Sequence, residues 1–393
     1  MLRKENIPSL AIWETPFYYY NLDLLDRTLT ACRQGLDRYG YSAHFALKAN
    51  AEPRILERIC QAGFGADCVS GNEVALAVRS GFAPDQIVFA GVGKSDREIN
   101  IALEAGIFSF NCESIPEIEV IGALAAAQGK TARIALRINP DVDAHTHHYI
   151  STGKKENKFG ISPWMFEQAL TVIRNTPSVE LIGLHFHVGS QITDLSVFAT
   201  LCKRVNEIQQ WFVDRGVKLP HLNLGGGLGI NYKHPTEDPI PNFEGWFEQV
   251  YRHLTPLPGQ QIHFEPGRSL VGQCGHLISR VLYIKEGLEK RFLILDAGMN
   301  DLIRPALYQA HHRIENLSAS NRTDWNPDAE TLRYEVVGPV CESSDLWAPE
   351  VDLPISQRGD LVALHSSGAY GQVMGMRYNQ RDLAPAHYSD ELA

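Results

Sequence analysis

The sequence predicts a (β/α)8 barrel joined to a second, antiparallel β domain, on three observations. The chain has 393 residues, more than one ordinary hydrophobic core organises, so two domains are expected. From about residue 43, short β-rich apolar runs ending in polar or Gly residues alternate with helical patterns. After Gly267 the helical patterns stop, and strand-like runs follow one another, broken by Pro, Gly and Asp.

The barrel strands are expected at 43–48, 66–70, 86–90, 107–111, 131–138, 180–188, 219–225 and 260–265. Amphipathic stretches such as Glu73–Arg79 and Ile118–Ala127 lie between most of them. Parallel strands need crossover helices, so eight such repeats close into a barrel. Ser95-Asp-Arg-Glu98 is a capping box, and Ser114 with Glu117 three residues on is a second helix start. In the second domain, strands are expected at His276–Lys285, Arg291–Asp296, Arg333–Val340 and Asp360–Leu364. Thr15–Tyr20 is a further short strand, expected to pair with that domain. The polar stretch 315–332 is expected to be a surface loop. There are no internal repeats and no low-complexity segment.

Apolar content of 44% and charge of 21% describe a globular protein. A net charge of −10 argues against a general nucleic-acid binder, which needs a basic footprint. No apolar run approaches the roughly 20 residues that span a bilayer, and Met1–Glu5 is not followed by a signal-peptide stretch. The seven cysteines, at 32, 60, 68, 112, 202, 274 and 341, are scattered and form no Cys-x-x-Cys pair. A disulfide scaffold or zinc module is not expected, and a reducing cytoplasm fits.

Active sites of such barrels form at the C-terminal strand ends. These positions hold Lys48, Asp67 with Ser70, Asn111, Arg137 with Asn139, His185-Phe-His187-Val-Gly-Ser190, Gly225-Gly226-Gly227 and Glu265-Pro-Gly267-Arg268. A lysine closing the apolar run Phe45-Ala46-Leu47 is expected to be desolvated, which favours the neutral amine a Schiff-base lysine needs. The bland alternative is a lysine snorkelling from a strand end. The three glycines let backbone N–H groups approach an anion such as phosphate, with Arg268 as countercharge, or make a tight turn. They are not a dinucleotide fingerprint, because the third Gly would fall at 230, an Ile. Gly91-Val-Gly93-Lys94-Ser95 is not a P-loop, because its first Gly would fall at Val88.

His185 and His187 share a strand face, but no convincing third ligand accompanies them and no metal site is expected. His187 is placed to stack on a cofactor ring, with His185 packed below as a core histidine. His145, His147 and His148 read as a surface loop. Glu265 either keeps a heterocyclic ring nitrogen protonated or pairs with Arg268 or Arg137; the residues alone leave these even. Cys341, after Gly338-Pro339 and beside Glu342, is a loop thiol suited to proton donation, or an inert buried one. Cys112-Glu113-Ser114 repeats its letters by coincidence.

Together these segments closely resemble the fold-type-III pyridoxal-phosphate decarboxylases. The resemblance rests on FALKAN (45–50), HVGSQ (187–191), LGGG (224–227), EPGRS (265–269), GPVCESSD (338–345) and GAYG (368–371), which run in family order over almost the whole chain. Stretches 139–161, 301–308 and 341–345 look most like the members acting on diaminopimelate. Departures are modest: Phe-Ala-Leu-Lys stands where Tyr-Ala-Val-Lys is usual, and His148 where proline is common.

The resemblance implies a barrel over 28–268 and a β-sandwich or β-barrel domain built from 1–27 and 269–393. It implies pyridoxal 5'-phosphate bound by Lys48, Asp67, His187, Ser190, Gly226, Gly227, Glu265, Gly267, Arg268 and Tyr370. Lys48 would carry the cofactor, His187 stack on it and Glu265 bind its ring nitrogen. Arg268, Arg304, Tyr308, Glu342 and Tyr370 would bind substrate. Cys341 would donate a proton from the partner subunit of a homodimer. The expected reaction is decarboxylation of meso-diaminopimelate to L-lysine. Rivals are a related decarboxylase of ornithine, arginine or carboxynorspermidine, an amino-acid racemase, and a non-catalytic regulator of the same fold.

Overall fold

The computed structural model describes residues 7–140, 158–319 and 331–392. Two compact units make up the chain. One comprises residues 29–229 and 242–267; the other takes in the chain up to residue 28, residues 230–241, and the chain from 268 onward.

The described chain begins with α1 (Ile7–Leu10), β1 (Phe17–Tyr20) and α2 (Leu22–Tyr39). The first unit then alternates β2 (Ser42–Ala46), α3 (Pro53–Gln61), β3 (Gly65–Cys68), α4 (Gly71–Arg79), β4 (Ile87–Phe89), α5 (Asp96–Ala105), β5 (Ser109–Cys112), α6 (Ile115–Ala127), β6 (Ala132–Ile138), α7 (Phe166–Arg174), β7 (Val179–Phe186), α8 (Ser196–Val213), β8 (His221–Asn223), α9 (Phe243–His253) and β9 (Gln261–Phe264). These eight strands pair in order as a closed parallel barrel, completed where Ser42 of β2 lies opposite His263 of β9. The strands read as short apolar runs because helices cover the outside of the sheet.

Helix starts follow the sequence signals. Ser95 caps α5 while Glu98 accepts from the Ser95 N–H at 3.0 Å, the expected capping box. The second oxygen of Glu98 accepts from Gly71 N–H at the head of α4, so one carboxylate serves two helix ends. Ser114 caps α6 by accepting from Glu117 N–H. Each such cap contributes about 1 kcal/mol.

Neighbouring strands β2, β9 and β8 carry a chain of three histidines. His44 Nδ1 lies 2.9 Å from Gln86 O, its Nε2 lies 3.2 Å from His263 Nδ1, and His263 Nε2 lies 3.0 Å from His221 Nδ1. The residue opposite His44 is Gly65; a Cβ there would fall 2.4 Å from both His44 Nδ1 and Gln86 O, so the chain requires a glycine at that position.

The second unit holds α10 (Arg268–Val271), β10 (Gly275–Glu286), β11 (Arg291–Leu295), α11 (Arg304–Tyr308), β12 (Ile314–Asn316), β13 (Thr331–Val337), β14 (Leu346–Pro354), β15 (Leu361–Leu364) and β16 (Ala386–Tyr388). Its strand order is β12-β15-β10-β11-β13-β14, with β1 antiparallel to β10 and β16 beside β1. The sheet is mostly antiparallel; the β1–β16 and β11–β13 pairs are parallel. Phe17, Tyr19, Ile278, Leu361 and Ala363 form its core with Ile7 and Leu10 of α1.

One expectation for this unit needs correction. The stretch 315–332 is not simply a surface loop. Its start belongs to β12, where Asn316 is buried and donates to Ser356 at 2.8 Å and Asp360 at 2.9 Å. A polar residue with its amide satisfied in this way can enter the interior. Thr331 and Leu332 open β13, and 320–330 lie outside the described residues. Strand β14 lies outside the sequence expectations and contains Pro349. Its position at the sheet edge, beyond β13, makes the missing donor tolerable. Among the described residues, no helix is long and apolar enough to cross a membrane.

Candidate active site

A cavity of about 380 Å³ opens in the barrel unit, lined by Lys48, Asp67, Arg137, His185, His187 and Glu265 among others. These side chains come from the C-terminal ends of strands β2, β3, β6, β7 and β9, the rim where barrels collect chemistry.

Lys48 sits in a 3₁₀ turn, Leu47–Ala49, directly after β2. Phe45, Ala46 and Leu47 are buried, but Lys48 is exposed. The expected desolvation of its amine is therefore absent in the chain by itself, because the turn carries the lysine out of the strand that buries its neighbours.

Glu265 follows β9 and is buried. One oxygen lies 2.9 Å from His185 Nε2; the other accepts from Asn223 Nδ2 at 2.8 Å and Asn111 Nδ2 at 3.3 Å. The Asn223 amide cannot flip without loss, because its Oδ1 accepts from Gly225 N–H. Burial pushes the Glu265 carboxyl up, but His185 first and Lys48 beside it outweigh this and hold it below the ordinary carboxylate range. A buried anion with both oxygens engaged thus faces the cavity.

This arrangement settles two sequence questions. His185 is buried as a core histidine, and its Nε2 pairs directly with Glu265. The expected alternative for Glu265, pairing with Arg137, is not realised: Arg137 binds Glu113 at 2.5 Å. Glu113, whose sequence context looks like coincidence, also accepts from Gly91 and Gly160 N–H and so ties three loops together. Lys94 is likewise buried, donating to Gly91 O, Asn111 O and Glu117. Its protons are used within the fold, in keeping with rejection of a P-loop.

His187 is half-buried. Its Nδ1 accepts from Gly226 N–H at 3.2 Å, so the other ring nitrogen carries the proton. Burial, then the charges of Lys48 and Arg137, lower its pKa well below the usual range and keep the ring neutral. Asp67 is buried and its pKa is raised, first by burial and then by Glu265. Asp67 Oδ1 and His185 Nδ1 are buried without a hydrogen-bond partner among the described residues.

The glycine run is more constrained than expected. Gly225 N–H and Gly226 N–H are both committed to side chains, Asn223 and His187. Gly227 holds φ of +117° and its carbonyl accepts from Ile192 N–H. Ser190, Gly226, Gly227 and Gly267 stand in the loops after β7, β8 and β9 and are not among the residues lining the cavity.

The second unit gathers Arg268, Arg304 and Tyr370 into one cluster around Tyr232. Arg268 Nη1 donates to Tyr232 Oη at 2.6 Å and Arg304 Nη1 donates to the same oxygen at 2.8 Å. The Arg268 guanidinium also lies 4.8 Å from the Tyr370 ring centre. Tyr308 is four residues beyond Arg304 on α11 and half-buried. Cys341 and Glu342 form a separate, exposed turn, in which Cys341 N–H donates to Asn379. Buried Asp345 holds that turn by accepting from Val340 and Met299 N–H, each at 2.7 Å. Cys341 is thus exposed, not an inert buried thiol. Gln191, Gln309 and Tyr370 hold positive φ without being glycine, a strain that concentrates at functional loops. His145, His147 and His148, and most of 139–161, lie outside the described residues.

Residues 22–272 match the pyridoxal-binding domain of the pyridoxal-dependent decarboxylases. A diaminopimelate decarboxylase of Bacteroides thetaiotaomicron is 53% identical over 380 residues, 96% of each chain. This chain belongs to the diaminopimelate decarboxylase family of pyridoxal-dependent decarboxylases. The Zymomonas mobilis member is 42% identical over 96% of this chain and 88% of its own. Among solved structures, the Helicobacter pylori diaminopimelate decarboxylase complexed with L-lysine aligns at a TM-score of 0.88 and 37% identity. That alignment covers 97% of this chain and 93% of the other.

The barrel cavity fits the family's cofactor. It offers an amine at Lys48 and an anionic carboxylate at Glu265. It also has two buried polar atoms on lining side chains, Asp67 Oδ1 and His185 Nδ1, with no partner among the described residues. Unsatisfied polar atoms that line a cavity are available to a bound group. Among the described residues, no group of three or more His, Cys, Asp or Glu side chains is arranged to hold a metal ion. Sequence reasoning missed Asn223, Glu113, Tyr232 and His312. Asn223 alone carried a local signal, as the residue closing a barrel strand.

Proposed function

We propose that this chain decarboxylates meso-2,6-diaminopimelate to L-lysine and CO2. The observation that carries the reading is the convergence of Lys48, His187 and a firmly anionic Glu265 on one barrel-rim cavity. The substrate assignment draws on relatives up to 53% identical over nearly the whole chain.

Bound pyridoxal phosphate supplies a sink for the electron pair left at Cα when the carboxylate departs. Lys48 would hold the cofactor through its side-chain amine. Glu265, kept anionic chiefly by His185 and oriented by its two asparagines, would hold a proton on the ring nitrogen and so strengthen that sink. His187, its tautomer fixed by Gly226, presents a neutral ring face for stacking. Asp67 lines the same cavity. Ser190, Gly227, Arg268 and Tyr370 are assigned to the phosphate, with Gly226 and Gly267 shaping the loops. Arg304, with Arg268, Tyr308, Glu342 and Tyr370, reads the distal amino-acid end of the substrate, where a guanidinium suits a carboxylate. The carbon that loses CO2 takes a proton from the Cys341 thiol, which we assign to the site of a second copy in a homodimer. All seven cysteines are free thiols, which suits a cytoplasmic setting.

The test is product analysis with purified protein, pyridoxal phosphate and meso-diaminopimelate, with ornithine, arginine and L-lysine as parallel substrates. Lysine and CO2 are expected from diaminopimelate alone. CO2 from another amino acid overturns the substrate assignment, and none at all overturns the enzyme reading. Arg304→Ala is expected to raise KM for diaminopimelate roughly 10–100-fold; an unchanged KM removes Arg304 from the distal end.

A further inference from the structure

We infer that Tyr232 and His312 are positioning residues that lock the Arg304 guanidinium and select which of its edges grips the distal carboxylate. The inference deepens the role given to Arg304 above and rests on that reading.

A guanidinium terminal nitrogen carries two hydrogens. Both hydrogens of Arg304 Nη1 are engaged, one by Tyr232 Oη at 2.8 Å and one by His312 Nε2 at 3.0 Å. The direction of the second contact follows from the far side of the imidazole. His312 Nδ1 lies 2.9 Å from His365 O, which can only accept. His312 therefore carries its proton on Nδ1, and Nε2 receives one from Arg304. All of these groups are buried. Burial and the adjacent Arg304 charge keep His312 neutral, holding it down to about 3.

Tyr232 serves as the second anchor. Its oxygen accepts from Arg268 as well, so one phenol bridges two cations. Its ring centre lies 4.9 Å from the Arg304 guanidinium carbon. Burial raises the Tyr232 pKa, but the two guanidiniums outweigh it and leave the phenol more acidic than usual.

With Nη1 occupied, Nε–H and the Nη2 hydrogens, which have no partner among the described residues, remain to take a carboxylate side-on. A guanidinium already fixed in this way loses little freedom on binding, so ligand affinity depends on the two anchors. Tyr232 and His312 themselves need not touch the ligand.

The variants are Tyr232→Phe, His312→Leu and His312→Gln, prepared as holoenzymes. L-lysine keeps the distal amino-acid end, whereas cadaverine has lost its carboxylate. Dissociation constants for both are measured by calorimetry, with kcat and KM for meso-diaminopimelate. Tyr232→Phe and His312→Leu are expected to weaken L-lysine and raise KM about tenfold. Both should leave cadaverine binding unchanged and kcat within about twofold. His312→Gln, whose amide can accept from Arg304, is expected to restore most of the loss. Thermal midpoints and cofactor absorbance on the same samples identify any misfolded variant. If Tyr232→Phe is one, the two His312 variants decide. Unchanged L-lysine affinity, or equal weakening of L-lysine and cadaverine, overturns the inference. A wild-type protein that neither binds L-lysine nor turns over diaminopimelate overturns the parent reading, a result distinct from either.

Discussion

Glu265 draws its chemistry from residues far away in the chain: His185, Asn111 and Asn223 lie 80, 154 and 42 positions off. In Glu265→Gln an amide faces donors arranged for an anion, and the proton it should hold on the ring nitrogen is no longer favoured. The expected outcome is a fall in kcat of about 100- to 1,000-fold with cofactor absorbance retained. Steady-state kinetics check it, and an unchanged kcat removes Glu265 from that role. The same distances explain what could be read at this scale. Lys48, Asp67, His187 and Glu265 were legible because each ends a strand, a property of the residue's own surroundings. Glu113, Tyr232 and His312 were not, because each matters through a partner that only the fold brings near. Lys48 was legible as a candidate, yet its exposure was not, since a run of apolar letters does not reveal where the strand stops and the turn begins.

Barrel strands were legible because eight apolar runs punctuated by helical stretches admit few other arrangements. The edge strand β14 was not, because Pro349 reads as a break unless the neighbour on one side is known to be missing. The three-histidine chain across β2, β9 and β8 gives this scale its own prediction. Burial, with His44 and His221 beside it, lowers His263 from 6.5 to about 2. Below pH 6.5 the unfolded chain binds a proton that the folded chain refuses. Stability from this group is therefore full above about 6.5 and falls on acidification toward 2, by about 1.4 kcal/mol per pH unit. Thermal midpoints of wild type and His263→Asn at about pH 7.5 and about pH 5.5, on either side of the ordinary histidine value, check this. The variant is expected to lose less on acidification than the wild type; equal losses would mean that His263 is not held neutral by the fold.

For the whole molecule, the proposed assignment of Cys341 to a second copy implies catalysis shared by a pair of chains. Lys48→Ala and Cys341→Ala are each expected to be inactive alone. When mixed and allowed to exchange subunits, half the dimers carry both changes and one of their two sites is intact. About one quarter of wild-type activity should return. Exchange confirmed by sedimentation without any recovery would show that each chain supplies its own thiol.

The pairing of β1 with β10 also has a consequence for the order in which the chain is made. Tyr20 lies opposite Gly275, and 255 positions separate them. At about 5–20 residues per second, a ribosome takes roughly 10–50 s to cover that interval. Throughout it the Phe-Tyr-Tyr-Tyr strand, wholly buried in the finished fold, has been synthesised without the strand that covers it. The barrel strands, all between residues 42 and 264, are complete before β10 appears. The aromatic strand near the start is therefore the segment that a chaperone would have most reason to hold during synthesis.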